Sequence, residues 1–207
     1  MENIQLERWS SDFGEKYLSR NASVNFSEAH CARTKEHFKE MLDQTKNVKR
    51  ILEVGCNTGH NFTVLSQLGD FELVGIEPQV KAIQLGKEKN VPATLVKGSA
   101  YDIPFFDGYF DLVFASGVLM HISPDSLPKA LKEIDRVTRK YFFTTDYFDE
   151  AEVDVHYHGH DNMLWRRDMQ KACAEVLPHM RLILKKQFDK QDERTGKYTY
   201  GLLFEKT

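Results

Sequence analysis

The stretch ILEVGCNTGHNFTVL, residues 51–65, joins a run of apolar β-formers to a helix-like segment through Gly55, Asn57 and Gly59. Gly55 and Gly59 lack a Cβ, and asparagine is among the few other residues that tolerate a left-handed backbone, so the turn is tight and its amides are open to close approach. Eighteen residues after Gly59 the segment ELVGIE ends in Glu77. A carboxylate at the end of a second strand accepts hydrogen bonds from both hydroxyls of a ribose. Together these residues describe a site for a nucleoside-bearing ligand.

Two cofactors meet that description. NAD needs G-x-G-x-x-G so that its pyrophosphate can sit on a helix N-terminus, and the run Gly55-Cys56-Asn57-Thr58-Gly59-His60 misses two of the three glycines. Glu53, two residues before the first glycine, would repel a pyrophosphate but suits a ligand carrying an ammonium and a sulfonium. S-adenosylmethionine is the better fit.

Methyl transfer from a sulfonium needs an in-line nucleophile, and alignment alone supplies about 7–11 kcal/mol of the barrier. A base is optional, and a positioned histidine adds roughly 10²- to 10⁴-fold. His121, in ASGVLMHI, stands where the chain leaves a strand, and catalysis there competes with packing or support of the cofactor. In VDVHYHGHDN, His156, His158 and His160 alternate and would share one face if extended. Substrate contact, a base, an exposed polar loop and a three-imidazole metal site are the readings of that run; methyl transfer needs no metal, and none is expected. Tyr147, closing KYFFTTDY, is a candidate substrate contact.

These groups need a scaffold to converge. Segments 50–54, 72–77, 93–98, 110–116 and 140–147 are β-rich, and near-continuous apolar runs such as DLVFA imply strands buried on both faces of a parallel sheet. The segments between them are long enough for crossover helices, which is the doubly wound α/β pattern. Segments 181–189 and 198–206, separated by QDERTGK with Thr195-Gly196, read as an antiparallel pair. Asp161 or Asn162 can cap a helix carrying Trp165, Met169, Cys173 and Val176. The connection from Tyr147 to Asp161 is long, as binding loops and lids are.

The set of ExGxNxG, Glu77, GSAYDIPF (98–105) and FDLVFASGVLMHI (110–122) resembles class I S-adenosylmethionine-dependent methyltransferases over residues 48–140. The resemblance implies a Rossmann-like, mostly parallel seven-stranded sheet with an antiparallel C-terminal hairpin strand. It implies that Gly55 to Gly59 wrap the methionine part, that Glu77 holds the ribose, and that Ser99 and Ala100 line the adenine. Arg20, Glu53, Cys56, Asn57, Asn61, Pro78, Tyr101, Ser116 and Gly117 complete the implied cofactor-binding set. Ser99 stands where many members carry Asp, and VTRKYFF replaces the common PGG turn before the fifth strand.

At the N-terminus, WSSDFGEKYLSRN spaces Trp9, Phe13 and Tyr17 at i, i+4 and ends at Arg20 and Asn21. This motif resembles the methylase family associated with pseudaminic acid biosynthesis, which implies an acidic sugar or glycan precursor as acceptor. The rings either pack a helix onto the domain or close over the site. Arg20 is either solvated or pairs bidentately with a carboxylate, on the cofactor or on the acceptor. The alternatives are methylation of another small metabolite and a cofactor-binding protein without catalysis.

The 207 residues, 41% apolar and 29% charged, suit one globular domain over 1–207, with a helical cap at 1–40 and the core at 48–207. A net charge of −3 carries no footprint of a duplex nucleic-acid binder, and no nucleic-acid or membrane partner is expected. No apolar run reaches the ~18 residues of a spanning helix. The charged N-terminus is unlike a secretory signal. Cys31, Cys56 and Cys173 are odd in number and widely spaced, which suits free thiols in the cytoplasm. Sequence spacing does not define the oligomeric state.

Overall fold

A computed structural model describes residues 4–187 and 198–207. Three helices, α1 (Ile4–Trp9), α2 (Asp12–Asn25) and α3 (Glu28–Asp43), precede β1 (Arg50–Val54). Then follow α4 (His60–Leu65), β2 (Glu72–Glu77), α5 (Val80–Glu88), β3 (Thr94–Lys97), β4 (Phe110–Ser116), α6 (Leu127–Val137) and β5 (Thr138–Tyr147). The chain continues through β6 (Val153–Asp154), β7 (Trp165–Arg166), α7 (Met169–Val176), β8 (Met180–Gln187) and β9 (Thr199–Lys206).

The main sheet has seven strands in the order β3-β2-β1-β4-β5-β9-β8. The first five are parallel, and β9 runs antiparallel to β5 and to β8. This is the Rossmann-like mixed sheet that the strand pattern predicts. Each inner strand alternates its side chains between two cores. Leu52, Val74, Val113, Phe142 and Leu202 join the core under α6 and α7. Their neighbours Ile51, Leu73, Leu112, Phe143 and Leu203 join the core under α3, α4 and α5. Both faces are covered, which is why these strands read as continuous apolar runs. On α6, Leu127, Ala130, Leu131, Ile134 and Val137 form the buried stripe.

Two expectations change. Residues 165–166 do not start a helix: they pair with 153–154 in a small antiparallel sheet, and α7 begins at Met169 because Asp168 caps it, accepting from Lys171 N at 3.0 Å. The helical spacing of Trp165 with Met169 is therefore coincidental, although Trp165 is buried. The strand expected over 181–189 is described through Gln187, and the Thr195-Gly196 turn lies outside the described residues. No helix among the described residues is long and apolar enough to cross a membrane.

A buried carboxylate fixes the start of the central pair. Asp111, 2% exposed on β4, accepts from Lys49 N at 2.8 Å and Arg50 N at 2.9 Å through one oxygen, and pairs with Arg139. Asp111→Ala leaves both amides without their acceptor. It should lower unfolding free energy by at least about 1.5–3 kcal/mol, the value of a hydrogen bond to a charged group, as read from urea denaturation.

Candidate active site

The strand order reverses direction at β1, with β2 on one side and β4 on the other. At such a switch point the loops leaving the carboxyl ends diverge and open a crevice. A cleft of about 330 Å³ lies there, within the range of small-ligand sites.

The loop after β1 forms its floor. Gly55, Asn57 and Gly59 all have positive φ, at 72°, 51° and 76°. Gly55 N and Cys56 N both donate to Ile76 O, at 2.9 and 3.0 Å, tying the turn to β2. A Cβ on Gly55 would stand 2.7 Å from Val118, which lines the opposite wall. Gly59 differs in role: it does not line the cleft, and its missing Cβ makes room for Val91, Phe62 and Leu95 beneath α4.

Two carboxylates face the cleft. Glu77 accepts from Asn57 N at 2.9 Å through one oxygen and from Gln79 N at 3.0 Å through the other. Burial raises its pKa, and the two amides partly offset that. Glu53, 2% exposed, accepts from Asn61 Nδ2 at 2.6 Å, while its Oε2 is buried with no partner. Burial pushes Glu53 well above the usual carboxylate range, with Asn61 opposing and Glu77 adding to the shift. An unpaired buried carboxylate is costly. A ligand that brings a cation and hydroxyl donors removes that cost, whereas a pyrophosphate would deepen it. Trp9 Nε1 and Gln79 Nε2 are buried donors without partners on the same walls, open to a ligand's acceptors.

Pro78, Cys56, Ser99, Ala100, Tyr101, Ser116 and Gly117 also line the cleft. Ser99 Oγ accepts from Tyr101 N at 3.3 Å and shapes the turn after β3, and Ser116 Oγ meets Thr145 Oγ1 at 2.9 Å.

His121 lines the cleft from the turn Leu119–His121. Its Nδ1 lies 2.6 Å from Met163 O, and since a carbonyl only accepts, Nδ1 carries the proton. Burial lowers its pKa to about 4, so near neutrality the ring is uncharged with its lone pair on Nε2. The turn is held at both ends: Asp146 accepts from Met120 N at 2.9 Å, and Arg167 Nη2 donates to Ile122 O at 2.9 Å.

The remaining candidates stand elsewhere. Arg20 is exposed on α2 and does not line the cleft, although Tyr17 one turn earlier does. Tyr147 lines a separate recess of about 10 Å³ with Asp146 and Arg167, while Thr145 and Thr199 reach the cleft from β5 and β9. His156 is exposed and bonded to Asp161 at 2.7 Å. His158 is exposed too, because the chain turns there with φ of 49° at His158 and 85° at Gly159, so the histidines never share an extended face. Among the described residues no three His, Cys, Asp or Glu side chains gather as a metal site. What this loop brings to the aromatic cluster is Tyr157, its ring 5.3 Å from that of His121 and 6.3 Å from Phe13, and His160, 5.4 Å from Phe13.

Trp9, Phe13 and Tyr17 do not lie on one helix, since the chain breaks at residues 10–11, yet they cluster: Phe13 and Tyr17 each lie 5.1 Å from Trp9. Trp9 also meets His121 at 4.8 Å. Gly14 permits the fold-back, as a Cβ there would collide with Trp9 O and Gln79 Nε2. Sequence reasoning missed the wall from α3: His30, Arg33, Thr34 and His37, with His60 beside them. Their i, i+3, i+4, i+7 spacing was the available signal.

The fold and the glycine-turn site resemble those of class I, S-adenosylmethionine-dependent methyltransferase domains. Residues 52–141 match the family model described as methyltransferase domain. An uncharacterized methyltransferase of Schizosaccharomyces pombe is 32% identical over 137 residues, covering 59% of this chain and 48% of that protein. An uncharacterized methyltransferase of Synechocystis is 38% identical over 93 residues, covering 44% of this chain and 42% of its own. The chain thus spans less than half the length of these curated relatives. The fold matches the crystal structure of Burkholderia thailandensis 1,6-didemethyltoxoflavin-N1-methyltransferase, which holds 1,6-didemethyltoxoflavin and S-adenosylhomocysteine, with a TM-score of 0.73, 13% identity and coverage of 100% of this chain and 92% of that one.

Asp146 gives the site a pH signature. Burial raises its pKa to about 7, against hydrogen bonds from Thr144 and Met120 and the charge of Arg167. Between about pH 4 and 7 the folded protein therefore binds a proton that the unfolded chain has lost. Stability relative to Asp146→Asn should fall as pH rises through that window, by up to about 1.4 kcal/mol per pH unit, and level off above it in chemical denaturation at stepped pH.

Proposed function

We propose that this chain transfers a methyl group from S-adenosylmethionine to a small polar acceptor. The observation that carries the reading is the pair Glu53 and Glu77 on the glycine-turn floor, one with an unpaired buried oxygen and the other held by two loop amides. The bound cofactor supplies an electrophilic methyl group on a sulfonium. Glu53 takes the cofactor's ammonium, Glu77 its ribose hydroxyls, and Ser99, Ala100 and Tyr101 wall the adenine. Cys56, Asn57, Asn61, Pro78, Ser116 and Gly117 supply the remaining walls. His121 Nε2, fixed by the Met163 carbonyl, accepts the acceptor's proton as the nucleophile advances. Trp9 and Tyr17 exclude water from above, and alignment provides most of the acceleration.

For the acceptor we propose an acidic sugar or glycan precursor, made by carbohydrate biosynthesis in the cytoplasm. The support is the N-terminal aromatic motif, two of whose rings wall the cleft. Methylation of another small metabolite is the alternative, since the family model and the Schizosaccharomyces pombe relative are described as methyltransferases without an acceptor.

The test is calorimetry followed by turnover. S-adenosylhomocysteine should bind and NAD should not displace it. Glu77→Ala should weaken binding by about 1.5–3 kcal/mol, with Glu77→Gln falling between. NAD displacing the product would restore the dinucleotide reading. Binding without transfer to nonulosonic acids, nucleotide sugars or a small-metabolite panel would identify a non-catalytic binding protein.

A further inference from the structure

The inward stripe of α3 changes character along its length. Its C-terminal half buries Phe38 and Met41 in the core, with the Phe38 ring 5.2 Å from Phe114 of β4. The positions that continue this stripe toward the N-terminus are Thr34, Arg33, His37 and His30, and all four line the cleft. A helix stripe facing a domain is apolar by default. Here it turns basic where it meets the cleft.

The charges of the cleft are segregated. Glu53 and Glu77 project from the ends of β1 and β2, whereas Arg33 is the one arginine among the described lining residues, which include no lysine. Arg33 Nη2 lies 3.2 Å from His30 Nδ1, so the guanidinium is directed by a neighbour on its own helix. Close by, His60 Nδ1 is buried with no partner, its ring 5.4 Å from that of His30. Burial and His30 lower the His60 pKa to about 4, so it meets a ligand as a neutral ring that can donate or accept. Phe143 and Thr145 of β5 and Thr199 of β9 also line the cleft.

We infer that the α3 wall is an anion-recognition site for the acceptor, which carries a carboxylate or phosphate that Arg33 engages with His30 and His37 beside it. A planar fork suits either anion. The mouth position of Arg33, exposed at the rim, lets it meet an incoming anion from solvent. An acidic sugar would present such a group, as would any other small acid. The inference rests on methyl transfer at this cleft, and it assigns to Arg33 the carboxylate contact that spacing suggested for Arg20.

The test uses benzoate, phenyl phosphate and neutral benzamide as probes, titrated into Trp165→Phe protein so that Trp9 is the only reporting indole. Titrations run with and without saturating S-adenosylhomocysteine. Expected is quenching by the anions at concentrations at least tenfold below benzamide, with benzoate against phenyl phosphate telling which anion is preferred. Arg33→Ala should weaken anion binding at least tenfold and leave S-adenosylhomocysteine affinity within twofold. Lys35→Ala, which removes the same charge from the outer face of α3, should change neither. Equal binding of benzoate and benzamide, or no binding of either, overturns the inference. So does a tenfold loss of S-adenosylhomocysteine affinity in Arg33→Ala, which would assign the arginine to the cofactor's own carboxylate. If the anions bind through Arg33 while S-adenosylhomocysteine fails to bind the parent, the anion site stands and the methyl-transfer reading falls.

Discussion

Glu77 holds three separate pieces of chain in one geometry. Its carboxylate ends β2, accepts from Asn57 in the turn after β1, and accepts from Gln79 at the start of α5. The contact depends on register: Val54 pairs with Ile76, which sets Glu77 level with the glycine turn. A slip of one residue would send the carboxylate to the other face of the sheet. Burying a charge there is unfavourable, and the two amides are what the loop offers in return. The left-handed Asn57 is part of the same arrangement, since the turn aims its amide at Glu77.

From that anchor follows a division of charge within the cleft. The acidic end suits the ligand proposed for it, one that is cationic at sulfur and nitrogen. Charged imidazoles beside such a ligand would repel it. Burial keeps His121 and His60 neutral near pH 7, both lowered to about 4. For His121 the tautomer is fixed as well, because Met163 takes the Nδ1 proton. Low polarity around these rings thus does two things at once: it removes an unfavourable charge and leaves a lone pair available.

The strands were legible because each is buried on both faces and ends at a turn: β1, β2 and β4 fall on the residues that the apolar runs mark. The glycine turn was legible for a similar reason, as positive φ restricts which residues can stand there. What failed was direction. Spacing places Arg20 one turn from Tyr17 but does not say which turn of α2 still faces the cleft, and Arg33 lies on a helix whose basic residues look solvent-facing until Phe38 and Met41 are seen to bury the same stripe. In VDVHYHGHDN the turn at His158 and Gly159 breaks the alternation, and the rings that meet His121 and Phe13 are those of Tyr157 and His160. The Trp165 spacing fits a helix, but Asp168 caps one that starts later, and only pairing with residues 153–154 decides between the two.

The aromatic cap ties these elements into one device. Trp9 touches Phe13, Tyr17 and His121, and His121 touches Tyr157 from the loop after β5. Edge-to-face contacts of this kind contribute about 0.5–1.5 kcal/mol each beyond burial. The cap is held by several such contacts together with an exposed ion pair, Lys81 to Glu15 at 2.7 Å, that ties α2 to α5. Where the rings meet over the cleft they exclude water without adding a charge of their own. Excluding water raises the strength of every charge interaction below the cap. The carboxylates at Glu53 and Glu77, unfavourable while buried alone, act most strongly on a cationic ligand in that closed, low-polarity arrangement.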